Sequence, residues 1–182
     1  MKRIFGKPLV TQEHMRTRIK ELGRQISEDY VDRPNLLLIG IMKGAFLFYA
    51  DLVRAIRLPL QVDFLVVSSY EGRSTTSGKI KMITELTEDI KGRDILLVED
   101  IVDSGLTVQY LRKILGKKKP RSLAVCALLS KPERRKVEVA VEYIGFEIPN
   151  KFVVGYGLDY QQKYRNLPYL AVLDDADMES GQ

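Results

Sequence analysis

The sequence predicts an α/β protein with a parallel, twisted β-sheet flanked by helices. Three observations support this. Several segments are apolar throughout, which is typical of parallel strands buried on both faces. Segments with helical periodicity separate them, as in repeated strand–helix–strand units. The 182 residues, of which 45% are hydrophobic and 29% charged, suit one folded domain spanning 1–182.

The first element is predicted to be an amphipathic helix. Apolar residues recur at spacings of three and four between positions 15 and 30, which places them on one helical face. Thr11 precedes this stripe and is a plausible N-cap. The apolar residues of the stripe are Met15, Ile19, Leu22, Ile26 and Tyr30.

The middle of the chain alternates between buried strands and helices. Short runs rich in Leu, Ile and Val are predicted strands, and the longer amphipathic runs between them are predicted helices. Gly116 follows the second of these helices and is predicted to end it as a C-cap. The predicted strands are 35–41, 60–69, 79–84, 93–99 and 122–129, and the helices are 46–56 and 105–115.

The two ends of the chain do not follow this alternation. The first helix precedes the sheet, and the C-terminal part contains short strand-like runs such as "KFVVGYG" and "YLAVL". We therefore expect a core at about 34–150 and a small cap over the carboxyl edge of the sheet, built from 1–33 and 151–182.

Composition narrows the possible functions. No apolar run reaches the roughly 18 residues that span a membrane, and the N-terminus lacks a signal-peptide pattern, so we expect no membrane partner. Cys126 is the single cysteine and lies in an apolar run, which favours a reducing, cytoplasmic location and an inert thiol. The net charge of +5 suits an anionic ligand. The basic run 117–121 is predicted to be a solvated turn rather than a nucleic-acid site.

The segment "VEDIVDSGLT" (98–107) carries the strongest chemical signal. It follows a predicted buried strand and opens a helix, where ligands bind in open α/β sheets. Hydroxyl groups and backbone N–H groups at a helix N-terminus bind phosphate. Glu99 and Asp100 could bind Mg²⁺, which is usually shared with substrate phosphates, or sugar hydroxyls. An acidic surface turn is the alternative. The chain lacks the glycine patterns of a P-loop and of a dinucleotide site.

The segment "VEDIVDSGLT" resembles the 5-phosphoribosyl-1-diphosphate (PRPP) motif of the type I phosphoribosyltransferases. Further segments narrow the resemblance to the hypoxanthine-guanine phosphoribosyltransferases. They are "GIMKGAFLF", similar to the diphosphate-binding turn, "SSYEG", similar to the start of the mobile loop, and "LLSKPERRK" and "KFVVGYGLDYQQKYRNLPYLAVL", similar to the purine-binding segments. The resemblance extends from about Leu9 to Leu173. Ser104 stands where threonine is common, and Ala45 where some members have a second glycine.

This resemblance implies the type I phosphoribosyltransferase fold and transfer of 5-phosphoribose from PRPP to a 6-oxopurine, with Mg²⁺ as cofactor and Mn²⁺ as a substitute. Homodimers or homotetramers are usual in the family. Asp103 is the implied proton acceptor for purine N7. The residues matched to the 5′-phosphate site are Asp103, Ser104, Gly105, Leu106 and Thr107.

Other positions are matched by resemblance to the remaining groups of the substrates. Lys131 is matched to the purine 6-oxo group, Phe152 to stacking on the ring and Val153 to the base edge. The residues matched to diphosphate are Lys43, Gly44 and Arg165. Those matched to the metal are Glu99, Asp100 and Asp159, the last also lying near the purine. A non-proline cis peptide is expected at Lys43–Gly44.

Ser69 and Tyr70 are predicted to open a long polar loop that closes over the site and excludes water. An ordinary hairpin turn is the alternative. An RNA-binding regulator on the same fold is the rival function. It would not need the purine lysine or the diphosphate arginine, and this chain has both. The repulsion among the three carboxylates of 99–103 is expected to be relieved only by the ligands.

Overall fold

The computed structural model describes residues 7–70 and 79–173. The described chain forms a six-stranded sheet and a separate two-stranded sheet. A short 3₁₀ helix, Pro132–Arg134, follows β5. The elements in chain order are α1 (Gln12–Asp29), β1 (Leu36–Met42), α2 (Phe46–Ala55), β2 (Gln61–Tyr70), β3 (Lys79–Met82), β4 (Asp94–Val102), α3 (Leu106–Gly116), β5 (Ser122–Ser130), β6 (Tyr143–Glu147), β7 (Val153–Val154) and β8 (Ala171–Val172).

The large sheet has the strand order β3-β2-β1-β4-β5-β6. Five of its strands run parallel, with β1 between β2 and β4, while β3 pairs antiparallel with β2 at one edge. The predicted α/β class with a mainly parallel sheet is therefore confirmed. The antiparallel edge strand adds a hairpin to it.

The apolar strands are explained by helices on both faces of the sheet. Within β1, Leu36 and Leu38 pack in the cluster that contains α1 and α2, whereas Leu37 and Ile39 pack in the cluster that contains α3. Successive strand residues point to opposite faces, so a strand covered on both sides is apolar at every position. Burying each such Leu or Ile contributes about 1.5–3 kcal/mol relative to leaving it exposed.

Helix α1 lies in a different place from the one predicted. Its apolar stripe packs in the same cluster as α2 and the sheet residues Leu36 and Leu38, so α1 belongs to a helical layer on the sheet rather than to a cap. Gly23 allows the close approach, because a Cβ there would stand 2.6 Å from the Cβ of Ala55. The N-cap prediction is confirmed: the Thr11 side chain accepts a hydrogen bond from the backbone N–H of His14.

Two predicted boundaries are wrong. The strand predicted to end at Glu99 continues to Val102, so that Asp100 also lies inside β4, because parallel pairing with β5 continues as far as Val102 and Ser130. Helix α3 includes Gly116 and has Lys117 as its C-cap. The left-handed residue beyond this helix is Lys119, with φ of 55°.

The C-terminal part of the chain forms a small second unit of strands. β7 and β8 pair antiparallel, and Val10 bridges to Leu170, so the N-terminal segment joins this unit directly before α1 begins. A small apolar cluster within the unit consists of Val154, Leu167, Ala171 and Leu173.

Candidate active site

The predicted site residues gather beyond the carboxyl ends of the parallel strands. β1 ends at Met42, β4 at Val102 and β5 at Ser130, and the segments that follow them carry Lys43, Asp103 and Lys131. This edge is where ligands bind in open α/β sheets.

The turn after β1 packs against the carboxylate of β4. A Cβ placed on Gly44 would stand 2.5 Å from Cγ of Asp100 and closer still to its Oδ2, so a glycine is needed here. Lys43 beside it is exposed. The cis peptide bond is Met42–Lys43, one bond before the expected Lys43–Gly44. No residue type marks a non-proline cis bond, so its place could not be derived from residue types.

A second glycine closes the turn from the C-terminal segment. Gly157 has φ of 101°, and a Cβ on it would collide with the carbonyl oxygen of Gly44. The Arg165 guanidinium donates to the carbonyl of Gly157 over 2.7 Å, and its Nη2 lies 2.7 Å from Oδ1 of Asp159. The contacts therefore bring together Gly44, Asp100, Asp159 and Arg165, which belong to three separate motifs of the sequence.

Glu99 and Asp100 are poorly solvated carboxylates. Glu99 is buried, and no hydrogen-bond partner among the described residues satisfies its Oε2. Burial, and then the neighbouring Asp100, raise its pKa well above the usual range. Burial also raises the pKa of Asp100 to about 6; Asp159 adds to this, while hydrogen bonds from the backbone and the positive charge of Arg165 oppose it.

Asp103 has cationic partners of its own. Its Oδ1 lies 3.1 Å from Nε of Arg134, and its Oδ2 lies 3.6 Å from Nζ of Lys131. Arg135 donates to the backbone carbonyls of Val102 and Asp103. The expectation that only ligands relieve the carboxylate repulsion is therefore wrong for Asp103, because the protein supplies the counter-charges.

The segment 103–107 forms a turn into α3. Gly105 has φ of 82° and is the N-cap of the helix, and Leu106 donates its backbone N–H to Oγ of Ser104 over 3.4 Å. The carbonyl of Ser104 accepts a backbone hydrogen bond from Lys136 over 3.0 Å, which ties the turn to the segment after β5. Thr107 is half-buried in the first helical turn. This is an arrangement of hydroxyls and N–H groups that can hold a phosphate.

The residues matched to the purine come from two segments. Lys131 is only 7% exposed, and its backbone N–H donates to Val102. Phe152 is 44% exposed and meets the Tyr160 ring edge-on at 5.8 Å, whereas Val153 is buried in β7. Within the described ranges, no hydrogen bond or ion pair joins these two segments.

Sequence reasoning missed Arg134, Arg135 and Gly157. The signal for the arginines was present, because "SKPERRK" places four cations directly after a buried strand. Only Lys131 was assigned, since the contacts of the other cations with 102–103 depend on tertiary structure. Gly157 could not be recognised from the sequence, because its contact with the turn at Gly44 depends on how the segment after β7 packs against the end of β1.

The donor set near Asp100 suits Mg²⁺ shared with a ligand. Oxygen ligands are what Mg²⁺ prefers, and it usually takes one or two carboxylates together with substrate phosphates. Oε2 of Glu99, which has no hydrogen-bond partner among the described residues, and the neighbouring carboxylates of Asp100 and Asp159 fit this pattern. In residues 7–70 and 79–173, no three His, Cys, Asp or Glu side chains group as a protein-only metal site.

The predicted loop begins later than expected. Ser69 and Tyr70 pair with Ile80 and Lys79 at the end of the β2–β3 hairpin, so their backbone is strand. The rest of the predicted loop, 71–78, lies outside the described residues. None of the helices described is long and apolar enough to cross a membrane.

Comparison with known proteins identifies strong similarity along nearly all of the chain. The model of the phosphoribosyl transferase domain family matches residues 8–161. The chain is 50% identical over 163 residues to a hypoxanthine phosphoribosyltransferase of Salmonella typhimurium, covering 89% of this chain and 92% of that protein. It is also 50% identical over 171 residues to a hypoxanthine-guanine phosphoribosyltransferase of Mycobacterium avium, covering 91% and 84%.

Solved structures have the same fold. The hypoxanthine phosphoribosyl transferase of Trypanosoma cruzi superposes with a TM-score of 0.92 at 40% identity, covering 99% of this chain and 97% of that one. A hypoxanthine-guanine phosphoribosyltransferase of Bacillus anthracis gives a TM-score of 0.88 at 42% identity, covering 93% and 99%.

Proposed function

The chain belongs to the phosphoribosyltransferase family, among its hypoxanthine-guanine members, and from this premise we propose its reaction. It transfers 5-phosphoribose from PRPP to N9 of hypoxanthine or guanine, giving IMP or GMP and diphosphate. The bond from ribose C1′ to diphosphate breaks, the bond from C1′ to N9 forms, and the proton of N7 leaves. The observation that carries the proposal is the pairing of Asp103 and Lys131 beyond adjacent strands.

The spacing of these two side chains matches one edge of a 6-oxopurine. O6 and N7 are neighbouring groups on that edge. Asp103 Oδ2 and Lys131 Nζ lie 3.6 Å apart, so one can face N7 while the other donates to O6. Asp103 accepts the N7 proton as N9 bonds to the ribose, and Lys131 favours a 6-oxo group over the amino group of adenine. Phe152 stacks on the ring and the Val153 backbone meets its edge.

The phosphates of PRPP are held at two places. The turn 103–107 binds the 5′-phosphate through the hydroxyls of Ser104 and Thr107 and through N–H groups at the start of α3. The diphosphate lies at the turn of Lys43 and Gly44, with Arg165 opposing its charge. A donor placed where charge develops stabilises the transition state more than the ground state.

Carboxylates surround the ribose, where positive charge develops. Glu99 and Asp100 bind the ribose hydroxyls, and Asp100 and Asp159 are the residues that would hold Mg²⁺, with Mn²⁺ as a substitute. When bound, the metal neutralises charge on the diphosphate. Negative charge beside an oxocarbenium-like ribose lowers its energy.

We further propose that the enzyme acts in the cytoplasm as a homodimer or homotetramer on small molecules, without nucleic acid. With Cys126 as its single cysteine, the chain can form no internal disulfide, which is typical of proteins in a reducing compartment.

The test is a comparison of Asp103→Asn with wild type in steady-state assays with hypoxanthine, guanine, xanthine and adenine. General-base catalysis contributes about 10²–10⁴-fold, so turnover is expected to fall in that range while PRPP affinity changes much less. Asp32→Asn, an exposed substitution of the same kind, serves as the control. A fall of less than about tenfold in a folded variant would exclude Asp103 as the base. Equal use of adenine and hypoxanthine by wild type would contradict the role of Lys131.

A further inference from the structure

A second cleft lies between α1 and α2, and none of the predicted site residues lines it. Its volume is about 890 Å³, within the range of small-molecule sites. We call it the basic cleft, because five cations line it: Arg16, Lys20, Arg24, Arg54 and Arg57.

Four of these cations lack an anionic partner. Arg16, Lys20, Arg24 and Arg57 are exposed, and no carboxylate in the described part of the chain lies within ion-pair distance of them. Like charges four residues apart on a helix repel one another, and three of these cations stand at that spacing on α1. An anion seated between the helices would relieve this repulsion.

The acidic residues of the cleft do not supply that anion. Glu21 pairs with Arg18 over 2.8 Å. Asp51 pairs with Arg54 and also accepts a hydrogen bond from the hydroxyl of Tyr156. Both carboxylates are therefore engaged away from the four unpaired cations, and the cleft keeps an excess of positive charge.

The shape of the cleft narrows the class of ligand. Apolar residues also line the cleft: Ala55 and the ring of Tyr156 lie beside the buried Met15 and Ile19. From Arg16 to Arg24 the helix rises about 12 Å, so a single phosphate cannot meet all the cations. A ligand that satisfies both features has several anionic groups along a chain and an attached body with an apolar face.

We propose that the basic cleft binds an organic polyphosphate of the nucleoside triphosphate class, with the phosphates on the cations and the nucleoside against Ala55 and Tyr156. Arginine suits this role because its planar group binds phosphate through two parallel hydrogen bonds. The site is separate from the proposed catalytic centre and does not depend on its activity.

The first experiment is a calorimetric titration of the full chain with ATP, comparing wild type with Lys20→Gln/Arg24→Gln. The matched control is Lys113→Gln/Lys117→Gln, which removes the same charge from exposed positions at the end of α3. We expect affinity to fall about tenfold in the cleft variant and less than about twofold in the control. Phosphoribosyl transfer measured without ATP should be unchanged in both variants. A protein that binds ATP in the cleft but has no transferase activity would contradict the proposed function and leave the cleft proposal intact.

Further measurements distinguish the alternatives. Binding of ATP but not of tripolyphosphate at equal concentration supports the organic ligand, and photolabelling with an azido-ATP should modify α1 or α2. Equal ATP affinity in the cleft variant and wild type would overturn the proposal, because binding would then lie at the catalytic centre. A change of oligomeric state in the cleft variant without a change in ATP affinity would also overturn it, since a second copy would then cover the cleft.

Discussion

Gly44→Ala tests whether the contact between the β1 turn and Asp100 maintains the geometry of the proposed diphosphate site. The added Cβ would stand 2.5 Å from Asp100 Cγ, whereas ordinary contacts begin at 3.4 Å. Asp100 is anchored in β4, and its Oδ1 accepts the backbone N–H of Ile101 over 2.9 Å. Because Oδ2 would be closer still, the turn or the carboxylate must shift by at least about 1 Å.

The expected effects follow from the size of this shift. Overpacking of this kind costs about 1–3 kcal/mol of unfolding free energy, which corresponds to roughly 2–12 °C in Tm for a chain of this length. A displacement of about 1 Å at a reacting centre lowers the rate about 10²-fold. We therefore expect kcat/KM for PRPP to fall about a hundredfold, with a smaller change in KM for hypoxanthine.

Gly116→Ala is the matched control. A Cβ at this position meets no atom within 4 Å, and the residue lies in α3, where alanine is preferred to glycine by about 1 kcal/mol. The control should be slightly stabilised and fully active. Thermal melting and initial rates with varied PRPP measure both variants. A Gly44→Ala enzyme within about twofold of wild type in kcat/KM would refute the argument that the close approach matters.

Three further predictions concern the charged residues. Lys131→Ala should lower kcat/KM for hypoxanthine and guanine about ten- to a hundredfold with PRPP affinity nearly intact, and unchanged purine kinetics would remove Lys131 from the site. Asp100 has a folded-state pKa of about 6, above the usual value of 3.8, so ionising it destabilises the fold as pH rises between these values. Asp100→Asn should therefore gain stability relative to wild type from pH 4 to pH 7 in metal-free buffer. The gain is at most about 3 kcal/mol, because one unit of pKa difference corresponds to about 1.4 kcal/mol. A stability difference that does not change with pH would contradict the burial argument. Excess EDTA should abolish activity, and Mg²⁺ should restore it; full activity with the chelator would exclude the metal.

Most of the fold was predictable, because the spacing of apolar residues along the sequence indicates which faces of the helices and strands are buried. The strands of the parallel sheet were found from apolar runs, since each is covered on both faces, and the Thr11 cap was found from local chemistry. The place of α1 was not predictable, because its stripe shows which face is buried but not which neighbour buries it. Asp100 was predicted to follow its strand for a similar reason, since a charged side chain marks the end of an apolar run, whereas pairing with β5 continues past it.

The candidate site was predictable as a set of segments but not as a set of contacts. The resemblance assigned Asp103 and Lys131 to two groups of the purine from separate segments, and only the structure places Oδ2 of Asp103 and Nζ of Lys131 3.6 Å apart. Contacts between Gly44, Asp100 and Gly157 join residues from three distant segments, and short side chains or none at all leave no periodic signal. Arg134 was missed because a charged loop residue has no predicted partner until the fold provides one.

The carboxylates of 99–103 stay close together by two different physical means. Asp103 keeps two cations near it, so its charge is balanced before any substrate arrives. Glu99 and Asp100 instead lose solvation, and burial raises the pKa of both. A desolvated carboxylate gains the most from a cation that enters its site, since attraction is stronger where water is excluded. The same burial that lowers the stability of the ionised empty protein therefore strengthens its interaction with a metal or a cationic ribose. This is why Asp100→Asn is expected to make the fold more stable and the enzyme less active.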